Sequence, residues 1–299
     1  MQLNPEQADL WNALSCPYCS GVLEKRRNGA ECTSCRTQYE ESESGQLDLR
    51  LKREKKLLVP FVLTPSFNPD EDLFHVLPLN PKPETKFIDF QNINKEMASY
   101  IPRPRSKTSM MLDLGCGNAK HRLNFEHSGF KYVGLDYMSQ GATLLGDAHA
   151  LPFKDESFEF LFSMAVLEHL QYPFIAMNEA FRVLKPQSQF IGSVAFLEPF
   201  HERSFYHHTH YGLLNCLEHA GFKVKHISPT IKWDVLTAQA LMVLFPKMPK
   251  TLSKAIVFPL RAIHNAYWKS GHLLYPSQVN EITRLLWTAG SFQFVAARP

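Results

Sequence analysis

The chain has 299 residues, which suits one large domain with a small one, or two domains of medium size. Apolar residues make up 44% of the chain, which excludes a disordered polypeptide and favours a full hydrophobic core. With 32 basic and 29 acidic residues the net charge is only +3, so charge neither demands nor excludes a nucleic-acid partner.

The N-terminal residues contain Glu6 and Asp9 and have no apolar centre, so they are unlike a secretory signal. No uncharged apolar run reaches the roughly 18 residues that a membrane-spanning helix needs. Four of the six cysteines form two close pairs, which is typical of metal ligands in a reducing compartment. We therefore expect a cytoplasmic protein without a membrane span; its oligomeric state is not indicated.

Composition divides the chain into three parts. Residues 1–50 hold the cysteine pairs, and residues 51–105 are rich in proline and charge, which predicts a linker closed by a helix over 87–99. Residues 106–299 form the main domain, with a mostly helical insertion at about 229–290. Strands are predicted at residues 109–114, 131–135, 158–164, 189–197, 222–228 and 291–297. Helices are predicted at residues 172–184, 209–220, 235–245 and 252–268.

This alternation of strands and helices predicts an α/β fold in which helices cover both faces of a doubly wound, mostly parallel sheet. The stretch from Asp136 to Asp147 leaves ten residues between them, too few for a full crossover helix. We expect that helix to be lost or reduced to a turn, which would leave one side of a cofactor pocket more open.

The cysteines form two C-x₂-C pairs that are separated by 12 residues: Cys16, Cys19, Cys32 and Cys35. Two such pairs supply the four thiolates of a tetrahedral zinc site. Asn28-Gly29 between them is a hairpin turn signal, so the segment is predicted to be a zinc ribbon. A four-cysteine site leaves no position for a substrate, and the zinc is therefore expected to be structural. Free or redox-active cysteines are the alternative, which the double pairing disfavours.

A glycine-rich turn follows the first strand of the main domain. It contains Asp113, Gly115 and Gly117, with a helix predicted to begin near Ala119. Such a turn lets a ligand approach the backbone at the carboxyl end of a strand. A dinucleotide fingerprint would need a third glycine three residues after Gly117, where this chain has Lys120.

The turn resembles motif I of the class I S-adenosylmethionine-dependent methyltransferases, and the order of later motifs is similar to the type 11 branch of that family. Ala119 replaces the motif's last glycine, a mild departure. The resemblance covers residues 108–228 and the final strand, which it implies is antiparallel to its neighbours. The cofactor-binding residues that it implies are Asp113, Gly115, Cys116, Gly117, Asp136, Tyr137, Asp147, Ala148 and Met164.

Single residues of that set have simpler alternatives. Asp113 is compatible with shaping the turn alone, and Asp147 with capping a helix. The N-terminal segment, through Tyr39 and the closing residues 45–50, resembles zinc-ribbon segments that precede some bacterial methyltransferase domains, and the small Trm112-like zinc proteins.

Histidines follow the fourth and fifth strands, where an acceptor should lie. His201 is the first candidate for a general base, His208 the second, and His169 the third. The alternative is that their loop caps the next helix through Thr209 and that His169 only packs beside the cofactor. Ligand spacing alone does not define a second metal site there.

Three functions are compatible with these patterns. The first is methyl transfer from S-adenosylmethionine to a small-molecule, sugar-like or lipid-linked acceptor, the apolar C-terminal helices being a lid or, in the sharper alternative, a peripheral membrane contact. The second is RNA methylation, with Lys25, Arg26, Arg27 and Arg36 as a modest basic patch in the zinc module. The third is a non-catalytic scaffold with the same fold.

Overall fold

The computed structural model describes residues 5–57, 93, 95–230, 233–275 and 281–299. Most of the predicted linker, and most of the helix predicted over 87–99, lie outside these residues. The described end of that helix is Lys95–Ser99.

The strands are β1 (Leu23–Arg26), β2 (Gly29–Cys32), β3 (Gln38–Glu40), β4 (Leu47–Asp48), β5 (Met110–Leu114), β6 (Lys131–Asp136), β7 (Leu144–Leu145), β8 (Phe158–Met164), β9 (Leu184–Ala195), β10 (Lys223–Pro229) and β11 (Ser291–Ala297). The α-helices are α1 (Pro5–Ala13), α2 (Lys95–Ser99), α3 (Arg122–His127), α4 (Pro173–Val183), α5 (His210–His219), α6 (Val235–Gln239), α7 (Lys250–Leu274) and α8 (Glu281–Thr288). A 3₁₀ turn covers Leu167–His169, and a π-helical turn covers Ala240–Leu244.

The N-terminal sheet is a three-stranded antiparallel unit in the order β1-β2-β3. Arg26 pairs with Gly29 across a two-residue turn, so the predicted hairpin forms with Gly29 just after the turn rather than inside it. A side chain at Gly29 would place its Cβ 1.9 Å from the carbonyl oxygen of Tyr39. Glycine is required there because β2 and β3 approach each other closely.

The large sheet has the strand order β10-β11-β9-β8-β5-β6-β7-β4. β11 runs antiparallel to both of its neighbours, and the other pairs are parallel. Both predictions about the sheet, doubly wound topology and an antiparallel last strand, are confirmed. Apolar runs such as Met110–Leu114 are buried on both sides of the sheet, as the helical layers require.

The edge strand β7 follows β6 without a helix. Residues 137–143, all of which are described, contain turns and bends only, so the predicted loss of the crossover helix is confirmed. β4 pairs in parallel with β7 and thereby adds the N-terminal unit to the main sheet. One continuous core contains Tyr39 and Leu49 together with Leu144 and Phe153. The N-terminal unit therefore covers the sheet edge at β7, whereas the sequence predicted that loss of the helix would leave this side of the cofactor pocket more open.

The C-terminal insertion lies between β10 and β11 and consists of helices, as predicted. The helix predicted over 235–245 is formed by α6 and then by a π-helical turn that begins at Ala240. The helix predicted over 252–268 is longer in the structure, where α7 covers Lys250–Leu274. Within the part of the chain that the structure describes, no helix is both long and apolar enough to cross a membrane.

Candidate cofactor and acceptor site

The glycine turn connects β5 to α3 at the carboxyl end of the sheet. Gly115 has φ +71°, and a Cβ at this position would lie 2.4 Å from a methyl group of Val166. Gly117 has φ +52°, and its missing side chain would meet no atom within 4 Å, so this backbone borders open space. Ala119 also adopts a left-handed conformation, with φ +52°, and α3 starts only at Arg122, later than predicted. Alanine therefore fits the motif's last position, but in a backbone conformation that favours glycine.

Asp136, at the end of β6, organises two loops at once. Its Oδ2 accepts a hydrogen bond from the backbone N–H of Gly117 at 3.0 Å. Its Oδ1 accepts from the N–H groups of Met138 and Ser139, each at 2.9 Å. One carboxylate thus joins the glycine turn to the loop that replaces the crossover helix.

Asp113 lies beneath the turn and is 2% exposed. Burial, together with repulsion from Asp136, raises the pKa of its carboxyl group to about 7, although the hydroxyl of Tyr132 donates to Oδ2 at 2.7 Å. Burial also raises the pKa of the neighbouring Cys116 thiol to about 12, so this sulfur is a packed thiol rather than a nucleophile.

The stretch that follows β7 contains the next predicted cofactor-binding residues, Asp147 and Ala148. Asp147 accepts from the backbone N–H of His149 at 2.9 Å and lies 2.7 Å from that histidine's Nδ1. Burial acts to raise the pKa of Asp147, but these interactions with His149 bring it below its usual value. Ala148 is buried, Met164 at the end of β8 is partly exposed, and Tyr137 is half exposed.

The N-terminal unit holds the loop after Asp136. The amide nitrogen of Gln46 donates to the carbonyl oxygens of Ala142 at 2.6 Å and Ser139 at 3.1 Å. Arg50 donates to the carbonyl oxygen of Tyr137 at 3.1 Å, and its guanidinium lies 5.5 Å from the centre of the Tyr137 ring. The segment after the cysteine cluster therefore helps to shape the predicted ribose-binding loop.

A second cluster follows β8 and β9. Glu168, His169 and His201 offer ligand atoms that all lie within 4.8 Å of one another. Glu168 is fully buried, and burial together with the nearby charge of Glu198 raises the pKa of its carboxyl group to about 7. Among the described residues, neither of its carboxylate oxygens has a hydrogen-bond partner.

The loop that carries His201 is fastened to the 3₁₀ turn. The backbone N–H groups of Phe205 and Tyr206 donate to the carbonyl oxygen of Glu168 at 2.7 and 3.2 Å. The Nδ1 of His201 lies 3.2 Å from the carbonyl oxygen of Pro199 and 3.8 Å from a carboxylate oxygen of Glu198. Because a carbonyl oxygen can only accept, Nδ1 carries the proton in this contact, and in the neutral imidazole Nε2 then carries the lone pair.

Two of the three predicted bases, His169 and His201, come together, with ring centres 5.1 Å apart. His208 lies outside this cluster. It is buried, its backbone N–H donates to Ala195, and burial lowers the pKa of its imidazole. Thr209 caps α5 by accepting from the N–H of Gly212 at 3.0 Å, as the simpler interpretation of this loop proposed.

The four cysteines of the N-terminal unit converge as predicted. The sulfur atoms of Cys16 and Cys35 are 3.6 Å apart, and those of Cys19 and Cys32 are 3.5 Å apart. Thiolates around one tetrahedral zinc, at about 2.3 Å from the metal, lie about 3.8 Å from one another. The cluster is thus compatible with zinc.

Several residues near the cleft were not identified from sequence. They are Gln46, Arg50, His149 and Glu198. The backbone carbonyl contacts of Gln46 leave no local pattern, because they join residues 96 positions apart. Glu198 is three residues before His201, so its position in the histidine-rich loop could have identified it from the sequence.

A parallel sheet in this order, with an antiparallel last strand and a glycine turn at the carboxyl end of its central strand, defines the class I methyltransferase architecture. Residues 112–192 match the family described as "Methyltransferase domain". This match spans 81 of the 299 residues and supports an S-adenosylmethionine-dependent methyltransferase.

A curated relative is malonyl-[acyl-carrier protein] O-methyltransferase of Erwinia billingiae, which is 29% identical over 121 residues. The match covers 37% of this chain and 47% of the relative, so the chain spans about half the length of the curated relative that it matches.

Solved structures with a similar fold include an S-adenosylmethionine-dependent methyltransferase from Mesorhizobium loti, at 15% identity over 68% of this chain and 96% of that one, with a TM-score of 0.43. A complex that contains the Haloferax volcanii Trm112 methyltransferase activator matches at 18% identity, over 69% and 88% of the two chains, with a TM-score of 0.46. Phosphoethanolamine N-methyltransferase 2 of Haemonchus contortus matches at 16%, over 66% and 50%, with a TM-score of 0.41.

Proposed function

We propose that the chain transfers a methyl group from S-adenosylmethionine to a lipid-linked acceptor at an anionic membrane surface. The observation that supports methyl transfer is the carboxylate of Asp136, which joins the glycine turn to the adjacent loop at the edge of a methyltransferase domain. The observation that supports a lipid-linked acceptor is an exposed apolar stripe along α7.

The residues around the turn fit the cofactor. Gly117 borders open space, so a ligand can approach its backbone without meeting a side chain. Asp136 is the acid that would hold the ribose hydroxyls, with Tyr137 beside it. Asp147 and Ala148 would line the adenine end, and Asp113, Gly115, Cys116 and Met164 the methionine end.

When bound, S-adenosylmethionine supplies its sulfonium methyl group: the carbon–sulfur bond breaks as the acceptor's lone pair bonds to carbon, and sulfur keeps the electron pair. The acceptor must lose a proton, and His201 is the residue proposed to take it. Its Nδ1–H is held by Pro199 and Glu198, so the free lone pair of Nε2 can accept that proton. His169 lies beside it, with its ring centre 5.1 Å away, and is the alternative candidate for the base.

The exposed stripe lies on one face of α7. Its members are spaced by four, four, three, four and seven residues, which keeps them within a narrow arc of a helix with 3.6 residues per turn. They are Leu252, Ile256, Leu260, Ile263, Tyr267 and Leu274. All six side chains are exposed, with Ile263 at 67%. Apolar side chains of this size are normally buried, so a continuous exposed stripe indicates a binding surface.

Charge favours a membrane as the partner of the stripe. Residues 235–280 contain no Asp or Glu. They contain five basic residues, of which Lys247, Lys250, Lys254 and Lys269 are exposed. A helix with an apolar face and a basic polar face lies in the interface of anionic membranes. A lipid-linked acceptor would then reach the cleft from the bilayer.

RNA is the weaker alternative. Arg26 forms ion pairs with Glu24 at 3.3 Å and Glu31 at 3.0 Å, and Arg36 pairs with Glu31 at 3.4 Å. These carboxylates therefore neutralise two of the four basic residues that would have to contact phosphates. The cysteine cluster is proposed to hold a structural zinc ion, with Cys16, Cys19, Cys32 and Cys35 as ligands.

The experiment is label transfer from S-adenosylmethionine with a tritiated methyl group to fractionated cell extract. The full chain is incubated separately with total lipid, RNA, protein and small-molecule fractions, and the Asp136→Ala variant serves as the inactive control. Counts in the organic phase, absent with the variant, would support the proposal.

Counts in RNA or in water-soluble small molecules would replace the lipid-linked acceptor while keeping methyl transfer. Calorimetry with S-adenosylmethionine tests the enzyme assignment itself. A chain that releases no heat of binding would favour the non-catalytic scaffold.

A further inference from the structure

We infer that Glu168, His169 and His201 form a binding site for a divalent transition-metal ion, separate from the cysteine cluster. The inference rests on the proposed function for its purpose and changes one role in it. An Nε2 that binds the ion no longer takes the acceptor's proton; the ion would instead make a bound acceptor hydroxyl acidic enough to lose its proton to solvent. Binding of the ion is measurable without methyl transfer, so the two can fail separately.

The donor set is the first argument. Two imidazoles and one carboxylate are ligands that zinc, iron and related ions prefer. Their ligand atoms already lie within 4.8 Å of one another. Atoms bound to one ion at about 2.0–2.2 Å lie roughly 3–4 Å apart, so small side-chain rotations close the site. Three protein ligands leave a position open, which an acceptor oxygen can occupy.

The burial of Glu168 is the second argument. Its side chain is fully buried; the backbone N–H groups of Glu168 and Ala195 face the carboxylate, but among the described residues neither oxygen has a hydrogen bond of ordinary geometry. A buried carboxylate without a partner is costly unless it is paired with a cation or loses its charge. A metal ion between Glu168 and the two imidazoles would supply the missing partner.

The surroundings of His201 are the third argument. Histidines that bind metals almost always donate their other ring N–H to a backbone carbonyl or a carboxylate. The Nδ1 of His201 faces both kinds of acceptor, on Pro199 and Glu198. Glu198 is itself fixed by the indole N–H of Trp233, at 2.5 Å. The lone pair of Nε2 is thereby available for the ion.

The test is metal stoichiometry of the full chain. Protein stripped with a chelator is titrated with Zn²⁺ by calorimetry, and bound metal is counted by mass spectrometry after gel filtration. We expect two equivalents for the wild type, one in the cysteine cluster and one here. Glu168→Gln and His201→Asn should each lose the second equivalent, and His127→Asn, which changes an exposed histidine elsewhere, should keep it.

Cobalt substitution separates the two sites, because thiolate ligands give intense charge-transfer absorption and nitrogen and oxygen ligands do not. The second equivalent should therefore add only weak bands. A wild type that binds a single equivalent even in large molar excess of Zn²⁺ would overturn the inference. So would a second equivalent that persists in both variants. If Glu168→Gln does not fold, as judged by circular dichroism, His201→Asn decides the test, since His201 lies on a partly exposed loop.

Discussion

Asp136 and Gly117 are joined by a hydrogen bond of 3.0 Å from the glycine N–H to the aspartate carboxylate. Gly117 lies in the turn after β5 and Asp136 is the last residue of β6, so the bond links two loops at the edge of the proposed cofactor cleft. The same carboxylate accepts from Met138 and Ser139, so one side chain fixes the backbone on both sides of the predicted ribose position.

Replacement of Asp136 should therefore remove both a cofactor contact and the loop geometry. Hydrogen bonds to a charged group are worth about 1.5–3 kcal/mol, so Asp136→Ala should weaken S-adenosylmethionine binding roughly 10- to 100-fold. Calorimetric titration measures this, with Asp155→Ala as a control that removes an exposed carboxylate elsewhere. Unchanged affinity in Asp136→Ala would contradict the assignment.

Asp113 should make stability depend on pH. Its pKa is about 7 in the folded chain and near 3.8 when unfolded, so between these values only the folded state holds the proton. This contribution is fully present below about pH 4 and is lost as pH rises through 7. Relative to Asp113→Asn, the wild type should lose on the order of 2–4 kcal/mol between pH 4 and 7. Urea unfolding across this range checks it; parallel curves for the two proteins would refute it.

Gln46 should influence cofactor binding although it belongs to the N-terminal unit. Gln46→Ala removes the hydrogen bonds to the carbonyl oxygens of Ser139 and Ala142 and should loosen the loop after Asp136. A loss of about 1–2 kcal/mol corresponds to roughly 10-fold weaker S-adenosylmethionine binding. The matched control is Gln38→Ala, an exposed glutamine of β3. Equal affinities of the two variants would mean that the N-terminal unit does not shape the site.

Metal removal should destabilise the methyltransferase domain as well as the ribbon, because both share one core and β4 extends the large sheet. A loss of several kcal/mol would lower the Tm of the whole chain by roughly 10 °C. Scanning calorimetry of Cys32→Ser, or of chelator-treated protein, measures this, and Cys216→Ser is the control for loss of a buried thiol. Two transitions, the upper one at the wild-type temperature, would show that the units unfold independently.

The stripe on α7 should bind anionic vesicles. Burying an isoleucine side chain stabilises by about 1.5–3 kcal/mol. Ile263→Asp should therefore weaken the affinity for phosphatidylserine vesicles, measured by co-sedimentation, roughly 10- to 100-fold. Val22→Asp, at an exposed apolar position of the ribbon, should have no effect. Added salt should weaken binding by screening the lysines. A wild type that stays in the supernatant, or self-associates through Ile263 instead, would contradict the membrane assignment.

The sequence by itself determined the features that depend on neighbouring residues. The spacing of Cys16 and Cys19, the glycine turn at Gly115 and Gly117, and the alternation of apolar strands with helices are local patterns, and covalent geometry links them directly to backbone conformation. They were sufficient for the mostly parallel sheet and the cysteine cluster, whereas the antiparallel last strand was implied by the resemblance to the class I methyltransferases.

Only the tertiary structure decided which distant residues meet. Gln46 contacts a loop 96 positions away, and Glu168 comes beside His201 but not His208. The sequence predicted residues 1–50 as a separate module followed by a linker, whereas in the structure β4 joins the main sheet where the crossover helix is missing. Such contacts are selected by packing and by pairing of unsatisfied backbone groups at the sheet edge, and neither leaves a periodic pattern in the chain.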